Sequence, residues 1–280
     1  MRMEWLEAFQ VTAETKSLTK ASELLHMSQP ALSKQIKNLE TELGAALLTR
    51  TTVGVTLTEA GDQLLAATSN IMNEWNGVKR SIAVAQGLQG ITIGAWPSIG
   101  ASFLPKKLAC TDRSQYKLKI SHSYMELLEG LHDGKLDVAL FDDRDITHPY
   151  YSTPVYTESF RLYVNRDHPV YGSKQHVTFQ EIKDEAFVML LETCDARTLI
   201  HRAFEEHGAT LNVSTEMEFG HSILGFIEAN IGISILPDIF SNGLSPSIKA
   251  IPIEDFNIKR RLSLIARDPQ VGKKVLAMLR

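Results

Sequence analysis

Cysteine is nearly absent: only Cys110 and Cys194 occur in 280 residues. Two such distant thiols build no disulfide framework and no cysteine-rich metal spacing. Long apolar runs are missing as well; none reaches the ~20 residues of a membrane span. The opening MRMEWLEAF carries acids where a secretory leader needs its apolar core. A cytoplasmic protein with no membrane partner is therefore expected. Excess positive charge is also lacking, since the formal net charge is -4. Even the first 60 residues hold six Lys/Arg against seven acids. Binding of nucleic acid by bulk charge is thereby excluded, and any such contact must come from the placement of individual bases. Neither a repeated unit nor a low-complexity tract appears. What remains is ordinary globular composition, 44% hydrophobic and 8% aromatic, in a chain long enough for about two or three domains.

Residues 1–57 read as short helices followed by a hairpin. Met3–Glu14 carries Leu6, Phe9 and Val11 near helical spacing. Ser17 suits the N-cap of a helix over Leu18–Leu25, and His26–Met27 suits a tight turn. Ser28 caps the next helix, with Pro30 in its first turn, where a missing N–H costs nothing. Leu32, Ile36, Leu39 and Leu43 form one apolar stripe, and Gly44 ends it. LLTRTTVGVTLT then predicts two β-branched strands around Val53–Gly54.

A helix of ~28 residues, ~42 Å long, is predicted from Thr58 onward. Leu64, Thr68, Ile71, Trp75, Val78, Ile82 and Ala85 step alternately by four and three, an a/d seam. Leu64, Ile71, Trp75, Val78 and Ile82 are the candidate dimerisation residues; the competing reading is a long core helix. Gly87 and Gly90 break the pattern and mark a hinge.

Past Ile91 the period changes. ITIGA, KLKIS and LDVALF read as strands, with helices over Phe103–Cys110 and Met125–Asp133. SFRLYVN, AFVML, VSTEME and ISILP follow, with helices near Arg197–His207 and Ser222–Ala229. RRLSLIA and a helix over Gly272–Leu279 close the chain. Such βαβ alternation predicts two α/β lobes with a mostly parallel sheet and ligand clefts beyond the strands' carboxyl ends.

The stretch SQPALSKQIKNLE now has a chemical reading. With Leu32, Ile36 and Leu39 facing inward, Gln29, Ser33, Lys34 and Lys37 face outward at spacings of three to four. Such a short, polar helix tip fits a DNA major groove. Gln pairs bidentately with adenine, Ser serves several base edges, and Pro30 offers apolar contact to a thymine methyl.

The run ASELLHMSQPALSKQIKNLETELG, followed by LTEAG, resembles the winged helix-turn-helix of LysR-type transcriptional regulators. The resemblance covers residues 3–65 most specifically and weakens past residue 90. There IGASFLP, ELLEGLHDGKLDVALF and EANIGISILP resemble parts of the family's two regulatory lobes. One departure is LLTR at 47–50, where the family usually has an aromatic. Another is Asn230 in place of a helix-ending Gly; Asn is the next-best residue for positive φ.

Membership implies an N-terminal winged helix-turn-helix (1–58), a linker helix (59–88) and a periplasmic-binding-protein-like regulatory domain (89–280). Its lobe I would span about 91–158 and 260–280, and lobe II about 159–259. Ser28, Gln29, Pro30, Ser33 and Lys34 would lie at the bases, and Lys16, Lys20, Lys37, Arg50 and Thr51 nearer phosphates. The resemblance further implies promoter DNA, a small-molecule effector, RNA polymerase and a second copy, as dimer or dimer of dimers, as partners. No cofactor or metal is expected beyond that effector.

In the family the loop after the first strand lines the effector cleft, which points to Ser98, Ile99 and Gly100. Ser123, Thr193, Phe219 and His221 sit at the other corners, although Ser123 serves equally as a plain N-cap. Helix N-termini and arginines favour anions. Arg144 and Arg260 therefore suggest a small organic acid as effector. The competing reading pairs these arginines, with Arg261, to Asp142, Asp143, Asp145 or Glu254, so that they sense nothing; an aromatic or amino-acid effector stays open. Some relatives sense peroxide through a reactive cysteine in lobe II, where Cys194 falls, but it has no second cysteine nearby. A small enzyme or a solute-binding protein with an unrelated helical head is the alternative class. The enzyme reading lacks a GxSxG elbow, a GxGxxG fingerprint and a P-loop, so no catalytic residue is assigned.

Overall fold

The computed structural model describes residues 2–51, 54–87 and 90–279. The chain divides into two compact units, Met1–Arg80 and Ser81–Arg280.

In the first unit, α1 (Met3–Thr15), α2 (Leu18–Leu24) and α3 (Gln29–Leu43) are each bounded by local chemistry. The Ser17 hydroxyl accepts the Lys20 amide at 3.3 Å and starts α2. His26 turns the chain at φ 52°. Ser28 accepts the Ala31 amide at 3.4 Å, and Gly44, at φ 69°, ends α3. The buried stripe of α3 meets two clusters. Leu32 and Ile36 join Ala8, Leu18, Ala21 and Val55, while Leu39 joins Leu6, Phe9 and Leu47. Leu32→Ala would cost about 2–5 kcal/mol through lost burial and the cavity left behind.

β1 (Leu48–Thr51) and β2 (Gly54–Leu57) pair antiparallel, Leu48 opposite Leu57. Of the predicted hairpin tip at Val53–Gly54, Val53 lies outside the described residues and Gly54 begins β2. At Gly54 the φ is 137°, and a Cβ there would stand 2.6 Å from the Lys16 carbonyl oxygen. That carbonyl accepts the Val55 amide at 3.0 Å, which ties the end of α1 to the wing.

Then comes α4 (Glu59–Ala85). Thr58 roots it: its amide donates to the Leu47 carbonyl at 3.0 Å and its hydroxyl to the Ala46 carbonyl at 2.7 Å. The Gly61 amide donates back to that hydroxyl at 3.0 Å. A Cβ on Gly61 would lie 2.1 Å from the Leu47 carbonyl oxygen, so the helix approaches as backbone. The division between units falls inside α4. Its first turns pack Leu64, Leu65 and Met72 against the first unit's core, whereas Val84 joins the second unit's core.

The second unit begins with β3 (Ile91–Ala95), α5 (Pro97–Ser102), α6 (Leu104–Leu108), β4 (Tyr116–Ile120), α7 (Tyr124–His132) and β5 (Val138–Phe141). It continues with β6 (Tyr151–Asn165), α8 (Phe179–Ile182), β7 (Ala186–Leu190), α9 (Asp195–Glu206), β8 (Asn212–Met217) and α10 (Gly220–Glu228). β9 (Ser234–Pro237), β10 (Ile248–Pro252), β11 (Lys259–Ala266) and α11 (Pro269–Met278) complete it. The helix predicted over Phe103–Cys110 is split and starts earlier. Pro105 stands at the start of α6 and has no N–H with which to continue the preceding turn.

The seven-stranded sheet is mixed, contrary to the mostly parallel expectation, and β7 and β8 form a separate two-stranded sheet. β3 pairs parallel with β4 and β5, and β7 with β8. β11 and β6 run antiparallel to their neighbours because they cross between the lobes. The first part of β6 pairs with β11 in lobe I; the rest pairs with β9 and β10 in lobe II. Pro154 falls in the first part, beside a register shift at Leu262/Ser263. Only one neighbouring strand flanks β6 there, so a missing N–H is tolerated. Asn230 adopts φ 57° after α10, as the helix-ending reading requires.

Candidate functional site

Two surfaces gather the predicted residues. The first lies on α3 and the wing. Ser28, Gln29, Pro30, Lys34 and Lys37 are exposed, and Ser33 is half-buried. Ser33 lines a groove with Lys34, Lys37, Glu40 and, from the wing, Leu48 and Arg50. The Arg50 guanidinium donates to the Ser33 hydroxyl at 3.3 Å. A base-reading candidate and a phosphate candidate thus touch, and the bond aims a flexible cation along the groove. Lys16, at the end of α1, and Lys20, in the first turn of α2, are exposed. Thr51 is exposed at the hairpin, its hydroxyl bonded to the Gly54 carbonyl at 3.1 Å.

Sequence reasoning missed Glu40. Its carboxylate accepts the Leu47 amide at 2.9 Å and the Leu48 amide at 3.4 Å, and so sets the wing's root on α3. An acid directly after an apolar core position, eight residues before a strand, was the available signal. Leu48, standing where the family usually has an aromatic, packs against both clusters of the first unit.

Along α4 the seam separates into two parts. Leu64 is half-buried against its own unit's core and Thr68 is fully buried. Ile71, Trp75, Val78 and Ile82 are 38%, 45%, 50% and 52% exposed. The free apolar stripe is therefore shorter than predicted and begins at Ile71.

The second surface is the cleft between the two lobes. One half encloses about 320 Å³ among Trp96, Pro97, Ser98, Leu190, Phe219, Phe240 and Arg260. The adjoining half, of similar volume, is lined by Asp142, Arg144, Asp145, Thr193, Leu199 and Arg202. Trp96, His122 and Asp195 belong to both.

Six of the nine predicted cleft residues reach it: Ser98, Arg144, Thr193, Phe219, His221 and Arg260. Three do not line it. Ile99 is fully buried in the core. Gly100 faces Ile120, where a Cβ would meet the side chain at 2.3 Å. Ser123 caps α7 by accepting the Glu126 amide at 3.3 Å. The first two follow from α5 starting at Pro97, so the expected loop is already helical.

Arg260, 3% exposed, governs the floor. It donates to one Glu158 oxygen at 2.9 and 2.6 Å and to the Ser98 hydroxyl at 3.2 Å. The other Glu158 oxygen accepts the Ile239 amide at 2.6 Å. Burial opposes the guanidinium's charge, but Glu158 and Asp195 outweigh it and raise its pKa. Neither Glu158 nor Asp195 was singled out from sequence; both lie far from Arg260 along the chain.

The other arginines are committed as well. Arg144 forks onto Asp142 at 2.9 and 2.6 Å, and Arg202 lies 3.4 Å from Asp145. Arg261 donates to Asp143 at 2.8 Å. Burial works against the Asp143 carboxylate, yet hydrogen bonds from Ser152 and Arg261 hold it at about 2. Arg144 and Arg261 thus take acids that the competing reading named, whereas Arg260 takes Glu158, which it did not.

Across the cleft, His122 of lobe I lies 3.9 Å from Glu218 of lobe II, and Ser102 bonds His221 at 3.2 Å. Burial lowers the His221 pKa. Burial, reinforced by the Asp195 carboxylate, pushes the Cys194 thiol up to about 12. Cys110 is exposed in lobe I. Among the described residues no cluster of three or more His, Cys, Asp or Glu could hold a metal ion, and no helix is long and apolar enough to cross a membrane.

Two family models match the chain. Residues 3–62 match the bacterial regulatory helix-turn-helix protein, lysR family, and residues 86–280 match the LysR substrate binding domain. The chain belongs to the LysR family. This LysR-type regulator is 32% identical to the uncharacterized HTH-type transcriptional regulator YybE of Bacillus subtilis (strain 168), over 85% of this chain and 83% of the relative. It is 27% identical to the hydrogen peroxide-inducible genes activator of Dickeya chrysanthemi, over 95% and 90%. Full-length CbnR in complex with its target DNA shares the fold at TM-score 0.57 and 23% identity, covering 100% of this chain and 99% of that one. The LysR-type chain is thus a transcriptional regulator with a helix-turn-helix head and an effector-binding domain.

Proposed function

We propose that this regulator reads promoter DNA with the tip of α3 and releases or reshapes that contact when a small molecule fills the cleft. Ser28, Gln29, Pro30, Ser33 and Lys34 would meet base edges. Lys16, Lys20, Lys37, Arg50 and Thr51 would meet phosphates, the contacts that position without specifying sequence. The carrying observation is the groove in which Ser33, Lys34 and Lys37 of α3 face Arg50 of the wing.

Self-association follows from the stripe Ile71, Trp75, Val78 and Ile82, large apolar side chains exposed at a/d spacing. Two copies joined there, as a dimer or a dimer of dimers, would hold two heads at a fixed separation. A ligand shifts their arrangement only if it binds the two arrangements with different affinity. The changed DNA bend would then alter access of RNA polymerase, in the cytoplasm.

Peroxide sensing at Cys194 is disfavoured. Thiolate is the reacting form, and here burial and Asp195 keep the thiol protonated. The test of the main reading is a footprint and gel shift on DNA upstream of the protein's own gene. A protected, sequence-specific site is expected, with Ser33→Ala losing discrimination. Equal binding of all fragments by the parent protein would defeat the reading.

A further inference from the structure

Every arginine of the cleft already has a carboxylate, but the reverse does not hold. Asp142, Asp145, Asp195 and Glu218 line its two halves. Arg144 serves Asp142, Arg202 serves Asp145, and Arg260 is held by a fifth acid, Glu158. Glu218 faces His122 from the solvent side. Asp195 is left at the centre, lining both halves. Its Oδ2 is enclosed yet has no hydrogen-bond partner among the described residues, and it stands 3.9 Å from Arg260, outside hydrogen-bonding reach. Trp96, 4% exposed and also shared by both halves, has an indole N–H with no acceptor.

We propose that the effector carries a cationic nitrogen, an ammonium or amidinium, which pairs with Asp195 while an apolar body packs on Trp96, Phe219 and Phe240. The inference rests on the cleft being the effector site. An enclosed carboxylate oxygen without a partner costs free energy that a charged N–H donor recovers. The aromatic walls favour a cation over an anion, because ring faces are electrostatically negative. A carboxylate ligand would instead meet an excess of acids, and its natural partner Arg260 is taken by Glu158. The unused indole N–H suits a carbonyl or hydroxyl oxygen on the same ligand.

Calorimetric titration and thermal shift of the full chain test this with matched probes: benzylamine and tryptamine against benzoate and indoleacetate. At least one amine should bind and raise the melting temperature while its carboxylate counterpart does not. Asp195→Asn should weaken that amine by about tenfold or more, and Asp195→Glu should retain part of the affinity. Stabilisation by the carboxylates alone, no response to either amine, or unchanged amine affinity in Asp195→Asn would each overturn the cationic assignment. A promoter footprint by the same preparations separates the two readings. If the footprint persists, only the ligand class has failed; if it is missing while amines bind at Asp195, only the DNA reading has failed.

Discussion

The reading head and the cleft solve recognition in opposite ways. On α3 the functional side chains are exposed apart from the half-buried Ser33, and close in sequence; the bond from Arg50 of the wing to Ser33 joins the two elements. In the cleft the decisive groups are enclosed and come from segments as distant as Ser98, Glu158, Asp195 and Arg260; Arg260 and Glu158 neutralise each other, and Asp195 Oδ2 stays without a hydrogen bond. A head that must slide over many sequences keeps its groups in water. A pocket that must select one small molecule holds its charges in low dielectric, where a single unmatched oxygen carries discrimination.

If that contrast is right, substitutions in the two regions should differ in kind. The largest effect is expected from Arg260→Ala, which strands the Glu158 carboxylate in the interior. Breaking such a pair costs about 3–5 kcal/mol, to be read by urea denaturation of the second unit. Next comes Trp75→Glu on α4. A buried charge in the apolar stripe should shift the chain to monomer in sedimentation at micromolar concentration, with the head still folded by circular dichroism. Gln29→Ala or Ser33→Ala should cost ~1–3 kcal/mol of sequence discrimination and leave the melting temperature unchanged. Arg50→Ala should weaken all sequences alike and lower the salt slope by about one.

Smaller still is the gain from Asp195→Asn. Burial raises this carboxyl's pKa above its unfolded value. Its stability contribution is therefore present below the unfolded pKa and lost as pH rises through the folded one. The ionised form is the one that burial penalises, so the amide, which cannot ionise, should raise the melting temperature increasingly as pH rises, by about 2–4 °C for each kcal/mol recovered. An unchanged or lower melting temperature would show that Asp195 is already compensated. The smallest effect concerns Cys194. Alkylation at pH 7.5 should mark Cys110 and spare Cys194, and peroxide should leave Cys194 unmodified in mass spectra.

The head was legible because its information is local. Caps at Ser17 and Ser28, the stop at Gly44 and the apolar stripe of α3 act over one or two turns, and the outward face follows from the inward one. Asn230 was legible for the same reason, a single residue matched to one backbone conformation. The seam was only half legible, because spacing cannot say that Leu64 and Thr68 are covered by their own chain. The cleft was legible by corners, not by charge. Arg260 looked available because Glu158 is a hundred residues away, in a strand whose first part carries Pro154 and escaped prediction, whereas Asp142, two residues from Arg144, was a readable partner. Ile99 and Gly100 were misplaced since Pro97 starts a helix where a loop was expected.

Gly61 gives the linker a mechanical property. With no side chain to hold it off, the first turn of α4 rests on the Leu47 carbonyl, and Thr58 fastens it to Ala46 and Leu47. Those residues lead straight into the wing, whose root is gripped by Glu40 of α3. A twist applied to the start of the linker therefore has no slack to dissipate in; it is handed to the wing and the reading helix together.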